Sequence, residues 1–293
     1  MLGVPLLPVV FALGRNFLKR EGATLKSTTI NGHHVSYFEL QGRGTGAPML
    51  LVHGLAGSSL SWGRCMVALA EHSSRLIAFD MPGAGLSPIP STGPLRYPEM
   101  VDLVEQFAKQ VMRESFVFAG ASMGAAIATR ASLRLKEQVK ALALVVPAGA
   151  RVSEQRVPEQ LARLMVRNKY EAKAMISRIF AKPSKLREWV LADDAYRLYN
   201  QPWVQAIVTE ATSDAGEMVL QESELAAIKT PTAIYWAKEE RLLMEDGLCY
   251  FRRHLAPEHV EIEEIDGVGH SAHIEKPKLI AAKIAAFLLK KGA

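Results

Sequence analysis

Short apolar runs alternate with amphipathic segments along most of the chain. Runs bounded by glycine, proline or charged residues predict strands buried on both faces, and amphipathic repeats between them predict helices. This alternation predicts an α/β fold with a mostly parallel sheet and helices on both faces. The predicted strands lie at 48–54, 75–80, 115–120, 141–149, 232–237 and 260–265, and the clearest predicted helices at 61–71, 98–113, 122–135 and 276–290.

Two further β-rich runs come earlier, on either side of Asn31-Gly32. An Asn-Gly pair between β-rich runs is typical of a type I′ turn, because both central residues of that turn need positive φ angles. The pair therefore predicts an antiparallel hairpin before the first buried strand.

The stretch 151–228 interrupts the alternation, because it contains amphipathic helical patterns and no convincing strand. We expect three parts: an apolar N-terminal segment (1–22), a core formed by 23–150 with 229–293, and a helical insertion (151–228) at one end of the sheet. Apolar residues at helical spacing in the insertion favour packing on the core, although the same face would suit the wall of an acyl-chain tunnel. These residues are Leu161, Leu164, Met165, Met175, Ile176, Ile179 and Phe180.

The N-terminal segment carries no charge from residue 2 to residue 14, and three cations follow directly. Thirteen residues are fewer than the ~20 that cross a bilayer as a helix. Pro5 and Pro8 are expected to weaken the first turns of any helix. The charges follow the apolar run, which is the reverse of a secretory signal, and no cleavage motif is evident. The pattern favours a membrane-associated protein held at the interface by residues 1–20; a cleaved signal, a true span, and a segment folded onto a cytoplasmic protein are the alternatives.

Composition narrows the function class. Apolar residues make up 49% and charged residues 22% of the chain, as in ordinary globular proteins. The net charge of +5 is too small to indicate a nucleic-acid partner without a basic cluster or a reading motif. Cys65 and Cys249 cannot form a disulfide scaffold, and no Cys/His spacing resembles a zinc site. We therefore expect a folded protein that uses neither metal nor cofactor.

The run Gly120-Ala121-Ser122-Met123-Gly124 lies between a predicted strand and a predicted helix. This G-x-S-x-G spacing is typical of a nucleophile elbow, in which the serine projects from a sharp turn at the end of a sheet. The glycines at 120 and 124 would allow the turn to pack closely. Taken alone, the run is also compatible with a serine in an ordinary glycine-rich turn.

More motifs follow other predicted strands, and their order along residues 27–290 resembles that of the α/β-hydrolase family. The resemblance implies an eight-stranded, mostly parallel sheet with a helical lid, here 151–228, after the sixth strand. Locally, the stretch LVVPAGARV is similar to the monoacylglycerol-lipase-like and bacterial membrane-associated lipase branch of that family. The further motifs are His53-Gly54-Leu55, DMPGAGLS at 80–87 and Gly269-His270.

The family mechanism implies roles for these positions. Ser122 would be the nucleophile, and His270 would be the base that activates it and later returns the proton. Backbone N–H groups of Met123 and Leu55 would form the oxyanion hole. The His53-Gly54 pair is expected to shape the loop that carries Leu55.

The acid is the position at which the chain departs from the family. The family pattern after the seventh strand is W-G-x-x-D, whereas this chain reads Trp236-Ala237-Lys238-Glu239-Glu240. Counting from the tryptophan favours Glu240 as the group that orients His270, with Glu239, Asp246 and Asp266 as the other candidates. A Ser–His pair without a buried acid partner is a further alternative.

The insertion is strongly basic, since residues 151–187 hold ten Arg or Lys and three Glu, a local net charge of +7. A solvated helix face is the ordinary explanation, while docking on anionic lipid would also fit. We predict a serine carboxylic ester hydrolase that acts on lipid-like acyl esters of medium or longer chains through a Ser-His-Glu triad and an acyl-enzyme, with a small-molecule acyl ester or a lipid as its substrate. A carbon–carbon bond hydrolase or perhydrolase with the same triad, and a non-catalytic binding protein, are the alternatives. The sequence indicates no oligomeric state.

Overall fold

The computed structural model describes residues 6–211 and 217–293. Within these residues, eight strands form one sheet in the order β1-β2-β4-β3-β5-β6-β7-β8. Every neighbouring pair from β4 to β8 is parallel, which confirms the predicted α/β class. The strands are β1 Thr24–Ile30, β2 His33–Gln41, β3 Met49–Val52, β4 Arg75–Phe79, β5 Phe116–Ala121, β6 Val139–Val145, β7 Thr232–Ala237 and β8 Val260–Ile265.

Helices cover both faces of the sheet, as the alternation predicts. Helix α2 packs against α12, and α3 packs against α4. The α-helices of the described residues are α1 Leu7–Arg20, α2 Gly63–Leu69, α3 Tyr97–Phe107, α4 Met123–Leu135, α5 Val157–Leu164, α6 Lys169–Ile179, α7 Lys185–Tyr199, α8 Pro202–Ala211, α9 Glu222–Ala226, α10 Asp246–His254, α11 Ala272–Glu275 and α12 Pro277–Lys291.

The sheet begins with the predicted antiparallel hairpin. Ile30 of β1 pairs with His33 of β2, and the two turn residues Asn31 and Gly32 have φ angles of 51° and 82°. Positive φ at both positions is the type I′ geometry that the Asn-Gly pair predicts. Strand β2 then pairs antiparallel with β4, which joins the hairpin to the parallel strands.

The central strands are buried on both faces, as the continuous apolar runs predict. All four residues of β3 and all six of β5 are buried. The apolar run at 141–149 is a strand only as far as Val145, because the chain turns at Val146, where φ is 44°. Strands β3, β5, β6 and β7 are neighbours in that order and run parallel, so their carboxyl ends lie at the same edge of the sheet, where the candidate motifs occur.

Helices α5 to α8 lie between β6 and β7, and no strand occurs in the described part of 151–228. The apolar residues predicted to lie on one face divide between two environments. Met175 is buried in a small second core with Val166, Ala172 and Leu242, whereas Leu161 and Met165 pack against the main core.

Acidic residues of the core pair with part of the positive charge of the insertion. Arg156 contacts Glu245 and Asp246 at the start of α10, with N–O distances of 2.8 and 2.7 Å. Arg163 also reaches Glu245, at 3.3 Å, while its contact with Glu159 at 2.7 Å lies within the insertion. The local net charge counted along the sequence therefore overstates the positive charge that this surface presents.

Residues 7–20 of the N-terminal segment form a helix that includes Pro8. Pro8 lies in the first turn of α1, where a missing N–H is tolerated, so the expected weakening does not prevent the helix. Leu18 is fully buried next to Gly63 of α2, and the N–H groups of Leu6 and Leu7 donate to Asp194 of α7. Residues 1–5 of the predicted anchoring segment lie outside the described residues. In the two described ranges, no helix has both the length and the apolar character needed to cross a membrane.

Candidate active site

Ser122 occupies a sharp turn between β5 and α4. Its φ and ψ angles are 53° and −121°, a conformation that a residue with a side chain adopts only under strain. A Cβ at Gly120 would lie 2.6 Å from Ala125, and a Cβ at Gly124 would lie 2.3 Å from the carbonyl oxygen of Val52. Because neither position has room for a side chain, both glycines of the motif are required by close packing.

Three side chains from distant parts of the chain meet at this turn. The Oγ of Ser122 lies 2.9 Å from Nε2 of His270, and Nδ1 of His270 lies 2.9 Å from Oε2 of Glu240. The His270 side chain is 8% exposed and the Glu240 side chain 4% exposed. The three groups form one continuous and largely buried hydrogen-bonded chain.

The two oxygens of Glu240 have different partners. Oε2 faces His270, whereas Oε1 accepts the backbone N–H groups of Leu242 and Leu243 at 2.6 and 2.8 Å. These bonds fix the carboxylate plane after β7. A glutamate in place of the family's aspartate is thus held by the backbone that follows it.

The other acidic candidates have different partners. Glu239 accepts the backbone N–H groups of Gly267 and Val268, just before the loop of His270. Asp266 pairs with Lys238, and Asp246 pairs with Arg156. The structure brings only Glu240 of these four carboxylates to the imidazole.

The loop after β3 packs directly on the serine. A Cβ at Gly54 would lie 3.1 Å from both the Cβ of Ser122 and the carbonyl oxygen of Ala121. Leu55 of this loop and Met123, the first residue of α4, line the pocket next to Ser122. The first N–H groups of a helix have no partner within the helix, so the N–H of Met123 is available to a ligand.

His53 holds that loop through both ring nitrogens. Its Nε2 lies 3.0 Å from the backbone N–H of Met81 and accepts from it, so Nδ1 carries the proton and donates to the carbonyl oxygen of Gly54 at 2.8 Å. Burial lowers the pKa of His53, which keeps the ring neutral in this arrangement. The structure thus places His53 in the loop, away from the proton path.

Asp80 is a site residue to which the sequence reasoning gave no role. Its carboxylate accepts the backbone N–H groups of Ser59 and Leu86 at 2.6 and 2.9 Å. A Cβ at Gly85 would lie 2.3 Å from this carboxylate, which explains a glycine at that position of the 80–87 motif. Asp80 therefore ties the loop after β3 to the loop after β4.

The loop of His270 is bonded to the insertion, a connection that the sequence did not reveal. Glu275 accepts the backbone N–H groups of Gly269 and Ala181 at 2.6 and 2.9 Å. The N–H of Ser271 donates to the carbonyl oxygen of Ile179 at 3.1 Å. We call this set of contacts between residues 179–181 and 269–275 the histidine clamp.

A mainly apolar pocket of about 150 Å³ opens beside Ser122. The insertion contributes Leu164, Ile179 and Ile207, and the loop after β7 contributes Leu242. Two of the insertion residues predicted from helical spacing thus line the pocket, while others belong to the cores. In the described part of the chain, no group of three or more His, Cys, Asp or Glu side chains is arranged to hold a metal ion.

Comparison with known proteins identifies the fold. A family model described as alpha/beta hydrolase fold matches residues 47–277. The human protein "Monoacylglycerol lipase ABHD6" is 24% identical over 279 residues, covering 87% of this chain and 80% of the human protein. The crystal structure of a membrane phospholipase A, described as a bacterial virulence factor, superposes with a TM-score of 0.81 at 24% identity, covering 98% of this chain and 92% of that one. Carboxylesterase CesB (YbfK) from Bacillus subtilis superposes with a TM-score of 0.72 at 17% identity, covering 96% and 99%.

The family match agrees with the motif order and with the sheet topology. The matched span begins just before β3 and ends at the start of α12, so it includes Ser122, Glu240 and His270. The chain therefore belongs to the alpha/beta hydrolase fold family and is a serine hydrolase.

Proposed function

We propose that the protein hydrolyses carboxylic esters through Ser122, His270 and Glu240, acting on lipid-like acyl esters. The observation that carries this proposal is the continuous hydrogen-bonded chain from Glu240 to Ser122, with 2.9 Å at each step. A strained serine at the start of a helix, beside a pocket, is typical of the nucleophile in serine hydrolases of this fold family.

The first half of the reaction forms an acyl-enzyme. Glu240 accepts the Nδ1–H of His270, which leaves Nε2 free to take the proton of the Ser122 hydroxyl as Oγ attacks the ester carbonyl carbon. Negative charge develops on the carbonyl oxygen, to which the N–H groups of Met123 and Leu55 donate. The N-terminal dipole of α4 also favours that charge.

The second half releases the acid. Collapse of the tetrahedral intermediate breaks the bond to the alcohol oxygen, which receives the proton from Nε2 of His270. Water then attacks the acyl group on Ser122, with His270 again acting as base. The carboxylic acid leaves, and Ser122 regains its proton.

The pocket supports an apolar acyl group as the part of the substrate that is bound. Leu164, Ile179, Ile207, Val208 and Met218 contribute apolar side chains to its wall. Burying an alkyl chain against such a wall is favourable by about 0.8 kcal/mol per CH₂ group. We therefore expect esters of medium or longer acyl chains to be better substrates than acetates.

We also propose that α1 holds the protein at a membrane surface. Val9, Val10 and Leu13 lie at helical spacing on α1 and are 52%, 53% and 64% exposed. Leu186 and Trp189 are exposed on α7, the helix against which α1 begins. Exposed apolar side chains on an amphipathic helix, followed by cations in its last turn, are typical of an interfacial helix.

Active-site labelling tests the proposed reaction. Wild-type protein is expected to react with a serine-directed fluorophosphonate and to hydrolyse p-nitrophenyl esters of graded acyl length. Ser122→Ala, with an unchanged melting temperature, is expected to lose both. Labelling that persists in Ser122→Ala, or a wild type that cleaves none of the esters, would contradict the proposal.

A further inference from the structure

His273 is a buried histidine beside the proposed nucleophile, and the ester-hydrolysis mechanism does not use it. It lies on α11, three residues after His270, and is 5% exposed. Neither of its ring nitrogens has a hydrogen-bond partner among the described residues. Its ring packs on Trp62, with centroids 4.6 Å apart and an angle of 34° between the planes.

Trp62 stacks on the His273 ring and forms no hydrogen bond with its nitrogens. The indole Nε1–H donates to the carbonyl oxygen of Val52 at 3.1 Å, so Trp62 offers His273 a stacking surface and no donor. Burial, together with the nearby His270 and His53, lowers the pKa of His273 to about 3. Near neutral pH the ring is therefore uncharged, with one N–H donor and one acceptor nitrogen.

A buried polar side chain without a partner is unusual, since the large majority of buried side-chain polar atoms are hydrogen-bonded. His53 is also buried, and both of its ring nitrogens are hydrogen-bonded. His273 differs in that it lines the pocket with Ser122 and His270. Because its two nitrogens have almost no exposed surface, a small shift of the ring toward the pocket is what would let a bound molecule supply the missing partner.

The position of His273 indicates which part of a substrate it would meet. His270 returns its proton to the leaving alcohol, so the alcohol must lie on the histidine side of Ser122. His273 belongs to the segment that follows His270 and lines the same pocket. The alcohol part of the ester is thus the part within its reach.

We propose that His273 binds a free hydroxyl group on the alcohol part of the substrate and so favours acyl esters of polyols over esters of simple alcohols. A hydroxyl both donates and accepts, which matches a neutral imidazole with one donor and one acceptor unpaired. The rest of the pocket is mainly apolar and offers few directional contacts. The hydrogen bond to His273 would therefore select substrates by the hydroxyl group of their alcohol part. The inference rests on the proposed ester hydrolysis.

Two esters of the same fatty acid provide the test: the monoacylglycerol and the ethyl ester. His273→Leu keeps the volume and removes both polar atoms. Its kcat/KM for the monoacylglycerol is expected to fall about tenfold or more, because the substrate hydroxyl loses its hydrogen-bond partner in the pocket. Its kcat/KM for the ethyl ester is expected to change by less than about twofold, since the alcohol part of that ester has no free hydroxyl.

Further variants separate binding from structure. His273→Phe keeps an aromatic ring on Trp62 and is expected to behave like the leucine variant, so it serves if the leucine variant does not fold. His273→Gln restores a donor and an acceptor and is expected to recover part of the preference. The same leucine change at the exposed His72 is the matched control. Melting temperature and fluorophosphonate labelling report on folding and on Ser122.

The outcomes distinguish this inference from the proposed function. If the wild type cleaves both esters, and His273→Leu lowers both rates equally or lowers neither, the role of His273 is wrong while ester hydrolysis stands. If the wild type cleaves neither ester and is not labelled, ester hydrolysis is wrong and the role of His273 falls with it.

Discussion

At the scale of single residues, the divided partners of Glu240 explain how it can orient His270. Oε1 is occupied by the N–H groups of Leu242 and Leu243, so only Oε2 is free to face the imidazole. The orientation of the carboxylate is thereby set by the backbone. Position 240 should therefore be sensitive to an isosteric substitution that replaces a hydrogen-bond acceptor with a donor.

Glu240→Gln is expected to lower kcat by about 10³-fold or more, with little change in melting temperature. The amide oxygen will remain with the two N–H groups, so the amide NH₂ must point at Nδ1 of His270. The imidazole then carries its proton on Nε2 and cannot accept the proton of Ser122. Steady-state kinetics with a p-nitrophenyl ester measures the loss.

Glu239→Gln is the matched control, because it changes the neighbouring carboxylate in the same way. Its partners are the N–H groups of Gly267 and Val268, so a small loss of stability and a kcat within about tenfold of wild type are expected. Equal losses of kcat in the two variants would contradict the assignment of Glu240.

The sequence predicts some of these residues and not others, for a physical reason. Ser122 and His270 follow strands in recognisable motifs, and counting from Trp236 favours Glu240. Asp80 and Glu275 bind backbone N–H groups on distant segments, and such contacts leave no pattern in the residues concerned. The presence of an Asp or Glu in the sequence does not show which backbone N–H groups its carboxylate binds.

At the scale of elements, the histidine clamp links the end of α6 to the loop of His270. A Cβ at Gly269 would lie 2.6 Å from the backbone nitrogen of Ala181, so the two segments are in direct contact. Arg241, directly after Glu240, donates to the carbonyl oxygen of Ala181 at 2.9 Å. The segments that carry His270, the proposed base, and Glu240, the proposed acid, are therefore both hydrogen-bonded to the insertion.

Glu275→Ala is expected to lower kcat at least about tenfold, because it removes the acceptor for two N–H groups and frees the loop of His270. Each hydrogen bond to a charged group contributes about 1.5–3 kcal/mol, so the melting temperature should also fall by several degrees. Kinetics and thermal unfolding are measured on the same samples.

Glu264→Ala provides the comparison, since it removes an exposed β8 carboxylate that pairs with Arg252. Little change in either quantity is expected, because exposed ion pairs contribute little. A Glu275→Ala variant that melts earlier yet keeps its full kcat would mean that the clamp does not orient His270.

Element boundaries illustrate a similar limit. Periodicity predicts the helices of the core, and Asn31-Gly32 predicts the hairpin, because these signals are local. The placement of the insertion depends on pairs such as Arg156 with Asp246, which are far apart in the chain. The positive charge counted along the insertion could not include acids that only folding brings near.

At the scale of the whole molecule, α1 is anchored in the core through Leu18 near its C-terminal end, and it exposes an apolar face. Leu18 is buried in the core, and burying such a side chain contributes about 1.5–3 kcal/mol. Deleting residues 1–20 would therefore disturb folding as well as any membrane contact. Substitutions on the exposed face separate the two effects.

The double variant Val10→Glu/Leu13→Glu is expected to lower co-sedimentation with vesicles of anionic phospholipid at least about tenfold, because each charge opposes insertion of the helix face. Hydrolysis of a soluble p-nitrophenyl ester should stay within about twofold of wild type.

Ile89→Glu/Leu289→Glu is the matched control, since both residues are exposed and apolar and lie outside α1. Equal loss of vesicle binding in both double variants, or no loss in the α1 variant, would show that α1 is not the membrane contact.

The close contact of Gly269 with Ala181 couples the position of α6 to the position of the His270 loop. Displacement of the end of α6 would remove Ile179 from the pocket wall and would break the hydrogen bonds to the loop of His270, the proposed base. A partly opened molecule would then be chemically silent, and only the closed form could cleave what it encloses. One movement of α6 would therefore reduce both substrate selectivity and reactivity, and no separate inhibitor would be needed.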